Sequence, residues 1–371
     1  MLFAFAVMVN ANTKLTEEQA NRTTRIQVAI LLDTSSSMNG LIEQAKSRLW
    51  NIVNTLTTLK YNGQTPQIEI AVYEYGNDRL KERDNYIRQV TPLTTDLDLI
   101  SEKLFSLTTY GGLEYCGAVI NSAVKELEWG NRTADMKLIY IAGNEPFTQG
   151  SISYKSAIDK AIGKDIYVHT IHCGNREYGI SGMWRDGAIR GNGKFFNIDH
   201  NIRVRHYDTP YDDRISRCNE RLNSTYVGYG DQWSYRKENQ VAQDVNAKRI
   251  SSANMAERVV SKSMSAYDNS SWDLVDMAKK DRNALNNINK AELPAELQNK
   301  STAELQKLIN EKEAERTAIQ KEINELATKR QQYIDEQKKK DGEETTGDDL
   351  GKAITESILA LANKKGYTKS R

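Results

Sequence analysis

Residues 27–40 read Gln27-Val-Ala-Ile-Leu-Leu-Asp33-Thr-Ser35-Ser-Ser37-Met-Asn-Gly40, an apolar run of strand length that ends in Asp-x-Ser-x-Ser. A helical pattern begins directly after it. The motif therefore sets a carboxylate and two hydroxyls where a strand gives way to a helix, the end of the strand at which open α/β sheets bind ligands. Small oxygen donors in one tight turn suit a hard divalent cation, Mg²⁺ above all, because it keeps several waters and takes few protein carboxylates. Asp and Ser are also favoured helix N-caps, so a plain strand–helix turn accounts for the same residues taken alone.

Working outward, Ile- and Val-rich runs at 26–33, 68–75, 137–142 and 166–172 have strand length. Between them 41–58, 94–106, 116–127 and 153–162 read as helices, with Leu41, Ala45, Leu49, Ile52, Val53 and Leu56 at helical spacing. This alternation predicts an α/β class: a doubly wound, mostly parallel sheet with helices on both faces. Gly191-Asn-Gly193 opens a hairpin-like unit whose strand, to Asp199, is the last of the domain.

The Asp-x-Ser-x-Ser strand-and-turn resembles the opening of the metal-ion-dependent adhesion site (MIDAS) of the von Willebrand factor A (VWA) family, and roughly residues 24–200 share the family's pattern. Two further loops complete that site in the family. The second is similar to Thr108-Thr109-Tyr-Gly111-Gly112-Leu113-Glu114-Tyr-Cys116-Gly117, where Leu113 falls at the family's Thr and Glu114 is the neighbouring oxygen donor, with Thr109 a weaker substitute. The third is similar to Lys137-Leu-Ile-Tyr-Ile-Ala-Gly143-Asn144-Glu145, with Asn144 at the family's Asp and Glu145 beside it. The resemblance implies a site of Asp33, Ser35, Ser37, Glu114 and Asn144, with Thr109 and Glu145 as additional candidates. It would hold Mg²⁺, or Mn²⁺ or Ca²⁺, and leave a position for a carboxylate of a protein partner. Losing the Asp charge at Asn144 and gaining one at Glu114 keeps the site's net charge. Tyr73, Tyr75, Tyr110 and Tyr115 would ring this face as a recognition rim, since Tyr gives large contact area at low entropic cost.

The bulk composition narrows the function classes. A chain of 371 residues suggests about two domains at ~150 residues each. With 51 basic against 50 acidic residues there is no global field to steer it to nucleic acid. Cys116, Cys173 and Cys218 show neither Cys-x-x-Cys spacing nor a disulfide framework, and read as small buried apolar residues. Residues 1–11, apolar and closing on Val9-x-Ala11, resemble the tail of a secretory signal peptide that lacks its basic start, with a buried first strand as the competing reading. Nothing else approaches the ~20 apolar residues of a membrane span. The expectation is a periplasmic or secreted protein.

The domain organisation expected is a lead-in at 12–24, the VWA-like domain at 25–204, a helical extension packing on it at 205–290, a long charged helix at 291–340, and a flexible segment with a short final helix at 341–371. Trp233, Trp272, Leu274, Val275 and Met277 are the residues that would fold the extension back. In a heptad register over 301–340, Leu305, Ile309, Ile319, Ile323, Leu326 and Tyr333 occupy a/d positions while Lys312, Arg316, Arg330 and Gln337 interrupt them. A solvated stalk and a self-associating coiled coil both fit that pattern.

Catalytic constellations are sparse. His169 and His172, three apart in one strand, aim at opposite sheet faces. His200 and His206, with Asp199 and Asp208, offer a two-histidine metal site. Glu74 ends a strand where Glu114 and Glu145 could join it for acid–base work. No Gly-x-Ser-x-Gly, Walker or His-Glu-x-x-His motif occurs. The expected function is metal-dependent protein binding in the cell envelope, without enzymatic activity. The alternatives are a metal-independent scaffold acting through the helical tail and a metal-assisted hydrolase.

Overall fold

The computed structural model describes residues 23–340 and 350–369. Residues 1–11, most of the expected 12–24 lead-in and residues 341–349 lie outside them. Six strands form the main sheet: β1 (Arg25–Asp33), β2 (Gln67–Tyr75), β3 (Ile87–Thr94), β4 (Met136–Gly143), β5 (Ile166–Cys173) and β6 (Asn192–Ile198), in spatial order β3-β2-β1-β4-β5-β6. Only β3 runs antiparallel. The strand order reverses between β1 and β4, so a crevice opens at their carboxyl ends. β3 was not foreseen: Ile87-Arg-Gln-Val-Thr-Pro-Leu-Thr94 breaks its apolar residues with exposed Arg88, Gln89 and Pro92, as an edge strand can. β6 is a correction in kind. It pairs parallel to β5, reached through two short helices, where the Gly-rich turn had suggested a hairpin.

The helices flanking the sheet are α1 (Asn39–Thr57), α2 (Leu97–Ser106), α3 (Cys116–Glu126), α4 (Tyr154–Gly163), α5 (Arg176–Ser181) and α6 (Trp184–Arg190). Strand residues alternate between two cores. Ile26, Val28, Ile30 and Leu32 of β1 face α1 and α2, while Ala29 and Leu31 face α3 and α4.

Four helices follow: α7 (Asp212–Asn223), α8 (Trp233–Ile250), α9 (Ser252–Ser263) and α10 (Leu274–Lys280). Met255, Ala256 and Val259 of α9 join the α1-side core, as does Trp272. Leu274 and Val275 instead build a satellite core with Leu305 and Ile309. The attachment is pinned by Arg258, fully buried, which pairs with Asp98 at 2.7 Å and Asp244 at 2.6 Å and lies 4.7 Å over the Trp50 ring.

α11 (Thr302–Lys340) is 39 residues long, about 58 Å at 1.5 Å per residue. It is neither a free stalk nor an open coiled-coil seam. Its stripe of Leu305, Ile309, Ile319, Ile323, Leu326 and Ile334 is buried against the chain's own helices. Arg316 and Arg330, which spoil the heptad, point inward and are paired: Arg316 with Asp273 at 2.7 Å and Asp276 at 2.8 Å, Arg330 with Asp212 at 2.8 Å. Ile334 replaces Tyr333 in the stripe because a straight helix drifts from a 3.5 period.

α12 (Leu350–Lys364) lies on the sheet itself. Ile354, Ile358 and Leu361 enter the core against α1, β4, β5 and β6, and Ser357 Oγ meets Tyr140 Oη at 2.7 Å. After it, Thr368–Lys369 pairs antiparallel with Leu59–Lys60. The last helix is thus a layer of the α/β domain, separated from it in sequence by the whole helical extension.

Candidate metal site at the strand crossover

β1 delivers Asp33 to the crevice, and the chain turns at once: Thr34 N–H donates to Tyr75 O at 2.8 Å, then Ser36–Met38 makes one 3₁₀ turn into α1. Asp33 Oδ1 accepts the Ser35 N–H at 2.7 Å, Ser35 Oγ lies 3.2 Å from Ser37 Oγ, and Ser37 Oγ lies 3.5 Å from Asn144 Oδ1. The second loop is laced over the first, Tyr110 N–H donating to Thr34 O at 3.0 Å and Ser36 N–H to Gly111 O at 2.7 Å. Gly112 makes this approach feasible, since a Cβ there would stand 1.5 Å from Gly76 O. Gly143 does the same for the third loop: its Cβ would lie 2.5 Å from Tyr75 Oη and 3.0 Å from Asp33 Oδ2.

Glu114 turns inward beside Asp33, both side chains flanking Gly76, whereas Leu113 is 44 % exposed. Burial, then the charge of Glu145, pushes the Asp33 carboxyl up to about 7 despite the Ser35 N–H. Burial, then Asp33 and Glu145, pushes Glu114 up to about 8. Among the described residues no ion pair reaches any of the three carboxylates. Asp33 Oδ2 is buried without a hydrogen-bond partner of good geometry. A group so placed is costly unless something else satisfies it. The donor set is all hard oxygen, so the residues present fit a divalent cation. Among the described residues no three His, Cys, Asp or Glu side chains form a metal-holding group, so any such site here depends on the hydroxyls.

Of the sequence candidates, Asp33, Ser35, Ser37, Glu114 and Asn144 meet at this point, with Glu145 near enough to act on Asp33. Thr109 does not: its hydroxyl donates to Asn39 Oδ1. The rim is corrected. Tyr110 is 49 % exposed and Tyr115 half-buried, but Tyr73 and Tyr75 are fully buried on the α3 side of β2, their hydroxyls donating to Glu126 Oε2 and Ala142 O at 3.0 Å each. Being two apart in an interior strand, they share one face and sink together. Glu74, on the other face, bonds Thr34 Oγ1 at 3.2 Å and pairs with Arg88 at 2.5 Å, so it joins neither Glu114 nor Glu145.

His169 and His172 do face opposite cores. His169 stacks on Tyr140, while His172 packs on Trp184 and meets Asn144 O at 3.2 Å and Asn197 Oδ1 at 2.9 Å. His172, with Trp184 Nε1 donating to Glu145 O at 2.8 Å, thus fixes the third loop. Spacing gave no signal for this role, which depends on a parallel neighbour strand. The third loop also borders a cleft of about 620 Å³ that reaches Tyr178 and Met183. All three cysteines are free and buried. No described helix is long and apolar enough to cross a membrane.

No curated protein matches the chain in sequence. Among solved structures it is similar to proximal thread matrix protein 1 from the mussel byssus, described with a zinc-occupied MIDAS motif (15 % identity over 48 % of this chain and 43 % of that one, TM-score 0.36). It is similar also to the SpRpn10 VWA domain (16 %, 48 % and 90 %, TM-score 0.37). A third is an aerotolerance-related membrane protein from Bacteroides fragilis (18 %, 47 % and 92 %, TM-score 0.34). The chain spans less than half the length of the mussel protein. Residues 27–179 match the family model of the von Willebrand factor type A domain, and over that span this chain is a VWA domain.

Proposed function

We propose that this protein is a divalent-metal-dependent protein-binding module of the cell envelope. VWA domains often mediate protein–protein interaction, and the observation that carries the finer reading is the buried, unpartnered Asp33 Oδ2 among oxygen donors and uncompensated carboxylates. Asp33, Ser35 and Ser37 would hold Mg²⁺ directly or through water, with Glu114 and Asn144 completing the protein's share and Glu145 adding charge. The bound ion would supply an open coordination position for a partner's Asp or Glu. Placement in the envelope rests on the leader-like residues 1–11.

The scaffold alternative, in which the tail joins copies, has the burial of the α11 stripe in its own chain against it. For a metal-assisted hydrolase, Glu74 is engaged by Thr34 Oγ1 and Arg88 on the other face of the sheet, which removes it from acid–base work with Glu114 or Glu145. The discriminating experiment is capture from the source cell's envelope fraction on immobilised full-length protein. Partners retained by wild type in Mg²⁺, and lost both in EDTA and with Asp33→Ala, support the module. An unchanged set on Asp33→Ala in EDTA overturns it.

A further inference from the structure

The loop 76–86, between β2 and β3, leans over the candidate site and carries Arg79. The Arg79 guanidinium lies 4.5 Å from the centroid of the half-exposed Tyr110 ring, and among the described residues no carboxylate pairs with it. Its neighbours are accounted for: Arg83 is paired with Asp84 at 3.8 Å, and the Asp78 carboxylate packs on Gly111. The platform is rigid relative to the site. Asp78 N–H donates to Tyr110 O at 3.2 Å, Tyr110 N–H to Thr34 O at 3.0 Å, and Arg79 N–H to Asn77 Oδ1 at 3.0 Å. Tyr110 sits on the turn itself through its bond to Thr34, so the guanidinium over its ring stands on the order of 10 Å from Thr34.

We propose that Arg79, held on Tyr110, binds a second carboxylate of the partner, so that the preferred ligand is an extended acidic segment with two acidic residues two positions apart. Alternate side chains of an extended strand share a face at about 6.8 Å, a span that can bridge the metal site and the guanidinium. A planar guanidinium binds a carboxylate through two parallel N–H···O bonds, and its seat over the Tyr110 ring limits its freedom in advance. Opposite charges face each other: the oxygen-lined turn takes its carboxylate through a cation, the rim takes its own directly. This rests on the metal-dependent reading above and adds the partner's chemistry to it.

The test titrates two synthetic peptides on a Gly-Ser backbone, one with a single Asp and one with Asp-Ser-Asp, into the full-length protein in Mg²⁺ by NMR chemical-shift change. Wild type should bind the doubly acidic peptide roughly 5- to 20-fold more tightly. Arg79→Gln should abolish that preference and leave the singly acidic peptide unchanged; Tyr110→Leu should reduce it a few-fold. Equal binding of the two peptides by wild type, or a preference that survives Arg79→Gln, overturns the rim assignment while leaving the metal-dependent reading standing. Binding of neither peptide, or binding indifferent to EDTA and to Asp33→Ala, overturns both.

Discussion

At the scale of single residues, Leu113 and Glu114 carry the main departure from the family pattern. Leu113, which the resemblance sets at the family's Thr, turns to solvent, while Glu114 turns in beside Asp33. Glu114→Gln should therefore weaken Mg²⁺ about tenfold or more, near 1.4 kcal/mol, and Leu113→Thr should change it little. Fluorescence competition against Mn²⁺ reads both, and the reverse ranking would contradict the assignment. The motif was legible because its three donors are local in sequence. The failure of Tyr73 and Tyr75 as rim residues was not, because which face of an interior strand meets solvent is decided by the layers packed on it. A different residue contributes to the pH dependence of stability. Burial, then the Lys194 charge, holds His169 down to about 3. The unfolded chain takes up this proton below its ordinary pKa of about 6.5 while the folded one does not, so stability falls as pH drops from about 6.5 towards 3, by up to about 3 kcal/mol at pH 4. His169→Gln, which keeps an acceptor for the Lys194 N–H bonded to Nδ1 at 3.0 Å, should flatten the melting temperature over that range. An unchanged slope would show that other groups govern it.

At the scale of elements, α12 is the part whose role was least evident. Its stripe of Ile354, Ile358 and Leu361 was readable as a short helix, but nothing local says that it returns across the chain to cover β4–β6. Long-range closure leaves no periodic mark. Ile354, fully buried, tests the assignment: Ile354→Ala should cost about 2–5 kcal/mol in chemical denaturation. A cost below about 0.5 kcal/mol would mean that α12 is not seated on the sheet. The same logic warns against cutting at Pro294 to isolate the VWA domain, because the cut removes a layer of its core. Strands β1, β2, β4 and β5 and helices α1–α4, by contrast, were legible to within a few residues, since apolar runs alternating with 3.6-residue periodicity leave few other arrangements. β3 was missed because Arg88, Gln89 and Pro92, which an edge strand tolerates, break up its apolar residues and erase both strand signals.

At the scale of the whole molecule, the helical extension and the VWA domain share one core, and two of the four interruptions in the α11 heptads, Arg316 and Arg330, become its anchors. An arginine at an a/d position reads as a defect until the carboxylates that meet it are located in α10 and its cap. Arg316→Ala would strand the fully buried Asp273, at a cost of about 3–5 kcal/mol, and should lower the unfolding midpoint far more than Lys312→Ala. Sedimentation velocity should show a monomer across micromolar concentrations; a dimer released by Ile323→Asp without unfolding would reopen the coiled-coil reading. The central claim, that the β1–β4 crossover holds a divalent cation, is tested most directly by calorimetric titration of Mg²⁺ and Mn²⁺ into the full-length protein beside Asp33→Ala. Wild type should show one site per chain and the variant none, with both proteins equally folded. Equal heats in the two, or no binding by a folded wild type at millimolar metal, would contradict it.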